Sequence, residues 1–275
     1  MLKWALAVMH PHVANALRFT VSAVVLGAFY SARCRQTNTG FFAPIEASWH
    51  KILPLGLLGF GAHQALFVVG LNHTTAGNAA LLMATNPIWT ALLSWGIGDE
   101  ALSPWAWGGL FLSIAGTSLV VAAGSLNVAA GVGTLFGNAM MLLAAVAWGS
   151  YTAFSKRVVD RLSPTATAFF GVLFALPVLV GVGALYEPSV TWSQVGWKAW
   201  SAIVFSGGLA VGLMFVLWNR GVRRVGSSNT AVYYYLVPVV GMVVGAVTLG
   251  EPITPAQVTG GALILGGLIL VRRHT

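Results

Sequence analysis

Apolar runs close to the roughly 20 residues that carry a helix across a bilayer recur along the whole chain. They fall at about 13–32, 52–71, 76–97, 105–123, 133–154, 164–185, 199–218, 231–249 and 256–271, divided by short polar, basic, Pro- or Gly-bearing segments. The pattern predicts nine membrane-crossing helices. Ahead of them, residues 1–9 are too short to cross anything at about 1.5 Å per residue. Lys3 stands eight residues before Pro11, and Lys156 stands eight residues before Pro164. Residues 1–9 therefore read as the tail of a tenth span whose first turns would precede Met1.

The polar positions inside these runs repeat. The stretch from Thr75 to Pro104 recurs 151 residues later, with Asn78 on Asn229, Pro87 on Pro238, Glu100 on Glu251 and Pro104 on Pro255. The same offset pairs Gly61 with Gly212, Gly70 with Gly221, Gly109 with Gly260 and Gly116 with Gly267. In so apolar a chain glycine matches come cheaply, but the asparagine, the prolines and the glutamate do not. An internal duplication is expected, with a first repeat over 1–123, an uncharged linker at 124–131 and a second repeat over 132–275.

Composition places the chain in the membrane. It is 57% hydrophobic and 7% charged, with a mean hydropathy of +0.82, whereas soluble domains carry about 25% charged residues. The net charge of +8 is scattered between apolar runs, which argues against a nucleic-acid surface. One cysteine, Cys34, excludes an intramolecular disulfide. Arg33, Arg35 and Lys51, then Lys156, Arg157 and Arg161, then Arg220, Arg223 and Arg224 fall on one side of the spans, with Arg272 and Arg273; the other side holds Lys198. The positive-inside rule then puts the C-terminus in the cytoplasm of a multi-pass inner-membrane protein. Five spans per half, an odd number, make the second repeat insert upside down, a plan that secondary transporters use to build two gates around one midplane site.

Several motifs resemble the drug/metabolite transporter superfamily, specifically its EamA-like ten-helix exporters, a group that includes aromatic amino-acid exporters. They are Ala147-Trp148-Gly149-Ser150 followed by Lys156 and Pro164, Arg18-Phe19, the Asn-to-Pro spacing in both copies, and the turns Gly98-Asp99-Glu100 and Gly250-Glu251-Pro252. The resemblance covers nearly the whole chain and departs at the first span, whose matching Trp-Gly-Ser turn would precede Met1. It implies an all-α integral membrane protein of two inverted five-helix repeats, ten helices with the first truncated, around a central cavity.

Polar groups in a bilayer are costly unless they face the bundle interior or water. Asn78, Leu82, Thr85 or Asn86, and Trp89 share one face of the fourth span, and Asn229 and Tyr234 mark its copy. Trp148 and Tyr151 sit at i, i+3; His63, Gln64 and Phe67 lie deep in the third span; Trp218, next to Asn219, occupies the eighth. Pro87 and Pro238 are expected to kink their helices and free a backbone carbonyl in mid-membrane. Arg18 is expected to snorkel outward. Trp105, Trp107, Trp192, Trp197 and Trp200 suit an interfacial belt, and the glycine pairs 260–261 and 266–267 suit helix contact.

Such a lining fits a zwitterion with an apolar or aromatic side chain, or an amphipathic solute. All six acidic residues (Glu46, Asp99, Glu100, Asp160, Glu187, Glu251) fall at span ends or in loops, leaving His63 as the best titratable group inside. There is no P-loop, HExxH or GxSxG, hence no expected enzyme activity, cofactor or metal. The expectation is a secondary exporter of small organic metabolites, amino acids foremost, working in the lipid bilayer without nucleic acid; the oligomeric state stays open. Multidrug efflux and a non-transporting scaffold are the alternatives.

Overall fold

In the computed structural model the described residues are 2–97, 103–126, 131–160, 162–225, 227, 230 and 236–273, and among them there are helices and no strands. The elements are α1 (Leu2–Leu6), α2 (Pro11–Thr37), α3 (Ala43–Gly56), a π-helical turn over Leu57–Ala62, α4 (His63–His73), α5 (Ala76–Met83), α6 (Asn86–Gly96), α7 (Pro104–Leu126), α8 (Gly131–Val159) and α9 (Pro164–Tyr186). They continue through α10 (Trp197–Phe205), a second π turn over Ser206–Leu213, α11 (Met214–Val225), α12 (Leu236–Leu249) and α13 (Pro255–Arg273). Among the described residues, five continuous stretches are long and apolar enough to cross a membrane: Pro11–Thr37, Ser48–His73, Gly133–Val159, Pro164–Ser189 and Trp197–Arg224.

Proline and hydroxyl residues set the helix starts. Pro11, Pro104, Pro164 and Pro255 each open a helix, where no amide is needed and the fixed φ suits the first turn. Just before three of them a hydroxyl accepts an orphan amide: Ser103 from Ala106 at 3.2 Å, Ser163 from Ala166 at 3.1 Å and Thr254 from Gln257 at 3.2 Å. Gln257 answers by accepting the Thr254 amide at 3.0 Å, a capping box. Asn38, at φ 50°, and Gly250, at φ 66°, close α2 and α12 in the left-handed conformation that ends helices.

The chain forms two compact units, residues 1–68 with 154–226, and residues 69–153 with 227–275. Each unit collects matching helices from both sequence halves. In the first, α2 packs on α9: a Cβ at Gly183 would lie 2.7 Å from that of Ala16, and one at Gly27 would lie 3.2 Å from the Phe169 ring. Early residues of one helix meet late residues of the other, so the pair is antiparallel. The two π turns also belong to this unit, and their last residues, Ala62 and Leu213, stand 151 apart. Phe60 meets Phe215 edge to face at 4.5 Å.

The second unit holds α7 against α13, again antiparallel. A Cβ at Gly116 would lie 2.6 Å from the Gly260 carbonyl, and Gly267 rests on the backbone of Gly109. The expectation that these glycines serve helix contact describes their role. Ser113 donates to the carbonyl of Ile264 at 3.1 Å, and these two are themselves 151 residues apart. Leu81, Ile88, Leu110 and Ile264 bury the apolar core of this unit.

Candidate functional site

Most of the expected site residues are interior, and they divide between the units. In the second unit the fourth span is two helices rather than one kinked helix. The amide of Ala84 turns back to the carbonyls of Ala80 and Leu81, and that of Thr85 to Leu82 at 3.1 Å. Asn86 and Pro87 then open α6, so Pro87 sits in a first turn, where the missing N–H costs nothing. Beside the break Thr85 accepts from the Trp89 indole N–H at 3.2 Å and Thr90 donates to the Asn86 carbonyl at 3.2 Å. Pro238 lies on α12. Asn229 and Tyr234 lie outside the described residues.

Against this break rests Gly149 of α8. A Cβ there would lie 2.6 Å from Cβ of Trp89 and 3.1 Å from the Asn86 carbonyl, which explains a glycine between two large residues. Trp148 and Tyr151, both buried, stack on one another at 4.9 Å and 23°. Trp148, Tyr151, Asn86 and Trp89 are thus gathered around one helix crossing; Asn86 is fully buried and its Nδ2 has no partner. Asn78 is elsewhere. Its Oδ1 accepts from the Gln257 side chain at 2.7 Å, tying α5 to α13. Just above, the Glu251 carboxylate accepts the amides of Ala76, at 2.7 and 3.0 Å, and of Gly77, at 3.3 Å. This carboxylate meets the positive end of α5, the favourable polarity for an anion.

In the first unit His63 and Gln64 are buried, Phe67 is half-buried one turn further on, and the rings of His63 and Phe67 are 6.0 Å apart. Trp218 is half-buried on α11, and its neighbour Asn219 donates to the Pro164 carbonyl at 3.5 Å. Arg18 corrects the expectation of snorkelling. It is 4% exposed, its guanidinium carbon lies 6.0 Å from the Phe67 ring centroid, and its Nε and Nη1 have no hydrogen-bond partner. Snorkelling needs a free path to the helix end; here Gly207 of the second π turn sits on the Arg18 backbone. Asn15 and Ser22, buried on the same stripe of α2, were not among the expected site residues, although their i, i+3, i+7 spacing with Arg18 in an apolar span is legible. A separate cavity of about 750 Å³, lined by His50, Lys51, Leu58, Phe154 and Arg157, opens at the end of α3 and α8 in this unit.

Apolar helices of membrane-spanning length, packed through glycines and enclosing isolated amides, aromatics and a guanidinium, define a multi-pass membrane transporter. The chain belongs to the EamA-like transporter family, which it matches over residues 1–122 and 135–273. It is 30% identical over 215 residues to "Uncharacterized transporter YyaM" of Bacillus subtilis, covering 78% of this chain and 70% of that protein. It is also 30% identical over 226 residues to a Streptantibioticus cattleyicolor protein named "Probable terminal-alkyne amino-acid exporter", covering 80% and 72%. A solved crystal structure 23% identical in sequence superposes with a TM-score of 0.72 over 98% of this chain and 90% of its own; that likeness concerns the fold.

Proposed function

We propose that this protein is a secondary exporter of small organic metabolites, with amino acids, aromatic ones included, as the leading class. The observation that carries the reading is the 30% identity to the relative named as an amino-acid exporter, on a chain whose buried polar groups suit a zwitterion. Two inverted five-helix repeats, over 1–123 and 132–275, working by alternating access around a central cavity, account for the antiparallel pairing of matching helices, α2 with α9 and α7 with α13. The candidate solute-contacting residues are Trp148, Tyr151, Asn86 and Trp89 in the second unit and His63, Gln64, Phe67 and Trp218 in the first, together with Asn229 and Tyr234, with Pro87 and Pro238 as the candidate gate positions. The basic residues at the ends of α2, α8 and α11 support a cytoplasmic C-terminus.

The test is uptake and counterflow of labelled L-phenylalanine, L-leucine and an amphipathic cation into proteoliposomes. Saturable amino-acid flux that an unlabelled amino acid accelerates from the far side is the expected outcome. Flux of the cation alone would move the reading to drug efflux, and no flux of any solute would overturn it.

A further inference from the structure

The buried polar groups of α2 have no counterparts in α9. The Lys-to-Pro spacing at the start of both helices aligns them at an offset of 153, Pro11 on Pro164. Asn15 then falls on Ala168, Arg18 on Gly171 and Ser22 on Ala175. On the adjoining helices the offset of 151 puts His63 on Met214 and Gln64 on Phe215. At each of these five positions the polar member stands in the first half and its match is apolar or glycine, while the buried Ser206 and Asn219 of the second half match Leu55 and Val68.

The packing at these positions does not need the polar side chains. A Cβ at Gly56 would meet the backbone of Gly171, its carbonyl at 2.6 Å; the matching contact is Gly207 against the carbonyl of Arg18. Gly56 and Gly207 are 151 apart, and Gly171 and Arg18 are 153 apart, so one backbone contact is made twice. It holds with no side chain at all on Gly171. The Arg18 guanidinium is therefore surplus to the fold. It is also unmet: Arg18 is 4% exposed with Nε and Nη1 unpartnered, Asn15 is 1% exposed with both Nδ2 and Oδ1 unpartnered, Ser22 is 0% exposed with a free Oγ, and Gln64 is 5% exposed with a free Oε1. The described carboxylates of this unit, Glu46, Asp160 and Glu187, are all exposed at helix ends. A buried charge without a partner is among the most costly things a membrane protein can hold, and one that persists marks a functional group.

We propose that Arg18, with Asn15 and Ser22, is the subsite that takes the carboxylate of the transported solute, and that the free acceptor oxygens of Gln64 and Asn15 face its ammonium group. The idea rests on the export reading above for its solute, and on unit-one geometry for its place. Arginine suits the task because its planar fork matches a carboxylate with two parallel hydrogen bonds. Asn15 Nδ2 and the Ser22 hydroxyl add donors at i−3 and i+4 from Arg18, on the same helix face. The Phe67 ring, 6.0 Å from the guanidinium carbon and one turn from Gln64, gives the head group an aromatic neighbour.

Thermal melting of the full-length protein in detergent, with L-phenylalanine, 3-phenylpropionate or phenethylamine added, tests the subsite without requiring transport. Wild type is expected to be stabilised by the first two and much less by phenethylamine. Arg18→Gln should weaken 3-phenylpropionate by about a hundredfold and Arg18→Lys by about tenfold, leaving phenethylamine unchanged. Should Arg18→Gln fail to fold, Ser22→Ala serves instead, with an expected loss of about fivefold confined to the carboxylates. Equal response of wild type to 3-phenylpropionate and phenethylamine, or no response to any carboxylate, overturns the subsite. So does an Arg18→Gln protein that binds 3-phenylpropionate within about twofold of wild type. Amino-acid flux that ignores the carboxylate would sink the subsite alone; carboxylate binding without amino-acid flux would sink the export reading alone.

Discussion

The two compact units treat buried polarity in opposite ways. In the second, polar groups are ties: Asn78 to Gln257, Thr74 to Asn138 at 2.6 Å, Ser113 to the Ile264 carbonyl, and Glu251 to the amides opening α5. Among the described residues, the unmet atoms there include Nδ2 of Asn86 and of Asn138, one atom of each side chain. In the first unit Nε and Nη1 of Arg18, both polar atoms of the Asn15 amide and the hydroxyl of Ser22 are buried and unmet. Polar side chains hold one unit together and are held ready by the other. The contrast implies that removing polarity should damage the second unit and leave the first intact or improved.

The largest effect belongs to neither set and provides the scale. Gly116→Leu would force α7 off α13 and is expected to destabilise by about 3 kcal/mol, whereas Gly108→Leu, with nothing within 4 Å of its Cβ position, should be near neutral in the same melting assay. Glu251→Ala leaves three amide contacts at the start of α5 unanswered, an expected loss of about 2 kcal/mol. Arg18→Met should act in the other direction, raising stability by about 1 kcal/mol because an uncompensated charge is replaced by an apolar side chain. A loss there of the size seen for Glu251→Ala would erase the contrast. The Asn78→Ala and Gln257→Ala pair is expected to show a coupling of about 0.6 kcal/mol in a double-mutant cycle.

The smallest effect is on pH. Burial holds the imidazole of His10, stacked on Tyr186 at 4.0 Å and 6° with the ring of His12 at 5.5 Å, below its ordinary value of 6.5. The folded chain then keeps His10 neutral while the unfolded chain takes up the proton first. Stability is accordingly full above pH 6.5, declines as pH falls below it, and levels off once the lowered folded value is passed. Melting at about pH 7.5 and about pH 5.5 should show a drop in wild type that His10→Phe reduces.

Much of this was legible in the chain. Hydropathy located the described helices, with some ends off by five to seven residues as at Thr37 and Val225, because a bilayer demands length and apolarity that few other settings require. The glycine pairs at offset 151 announced the contact of α7 with α13. Pro87 shows where reading stops: a proline in an apolar run predicts a kink, whereas the helix breaks and restarts, with Gly149 packed against Trp89 and Asn86 beside the break. Asn78 was legible as polar and interior, yet its partner lies 179 residues away, and no local pattern encodes such a pairing. Arg18 was misjudged for the same reason, since its confinement comes from Gly207 on a helix far along the sequence. The asymmetry of α2 and α9 was present in the offset of 153 all along, but carried meaning only once Gly171 and Arg18 were seen to make the same backbone contact.

The carboxylate that closes the start of α5 belongs to a residue 175 positions downstream. At a synthesis rate of about 5 to 20 residues per second, Glu251 leaves the ribosome about 9 to 35 s after Ala76. The glycine seam of α7 waits nearly as long for α13. For that interval the early helices of the second unit reside in the membrane with amides unanswered and a small-residue face uncovered, so the biogenesis of this protein includes an obligatory period in which half-made helices depend on lipid or on the insertion machinery for company.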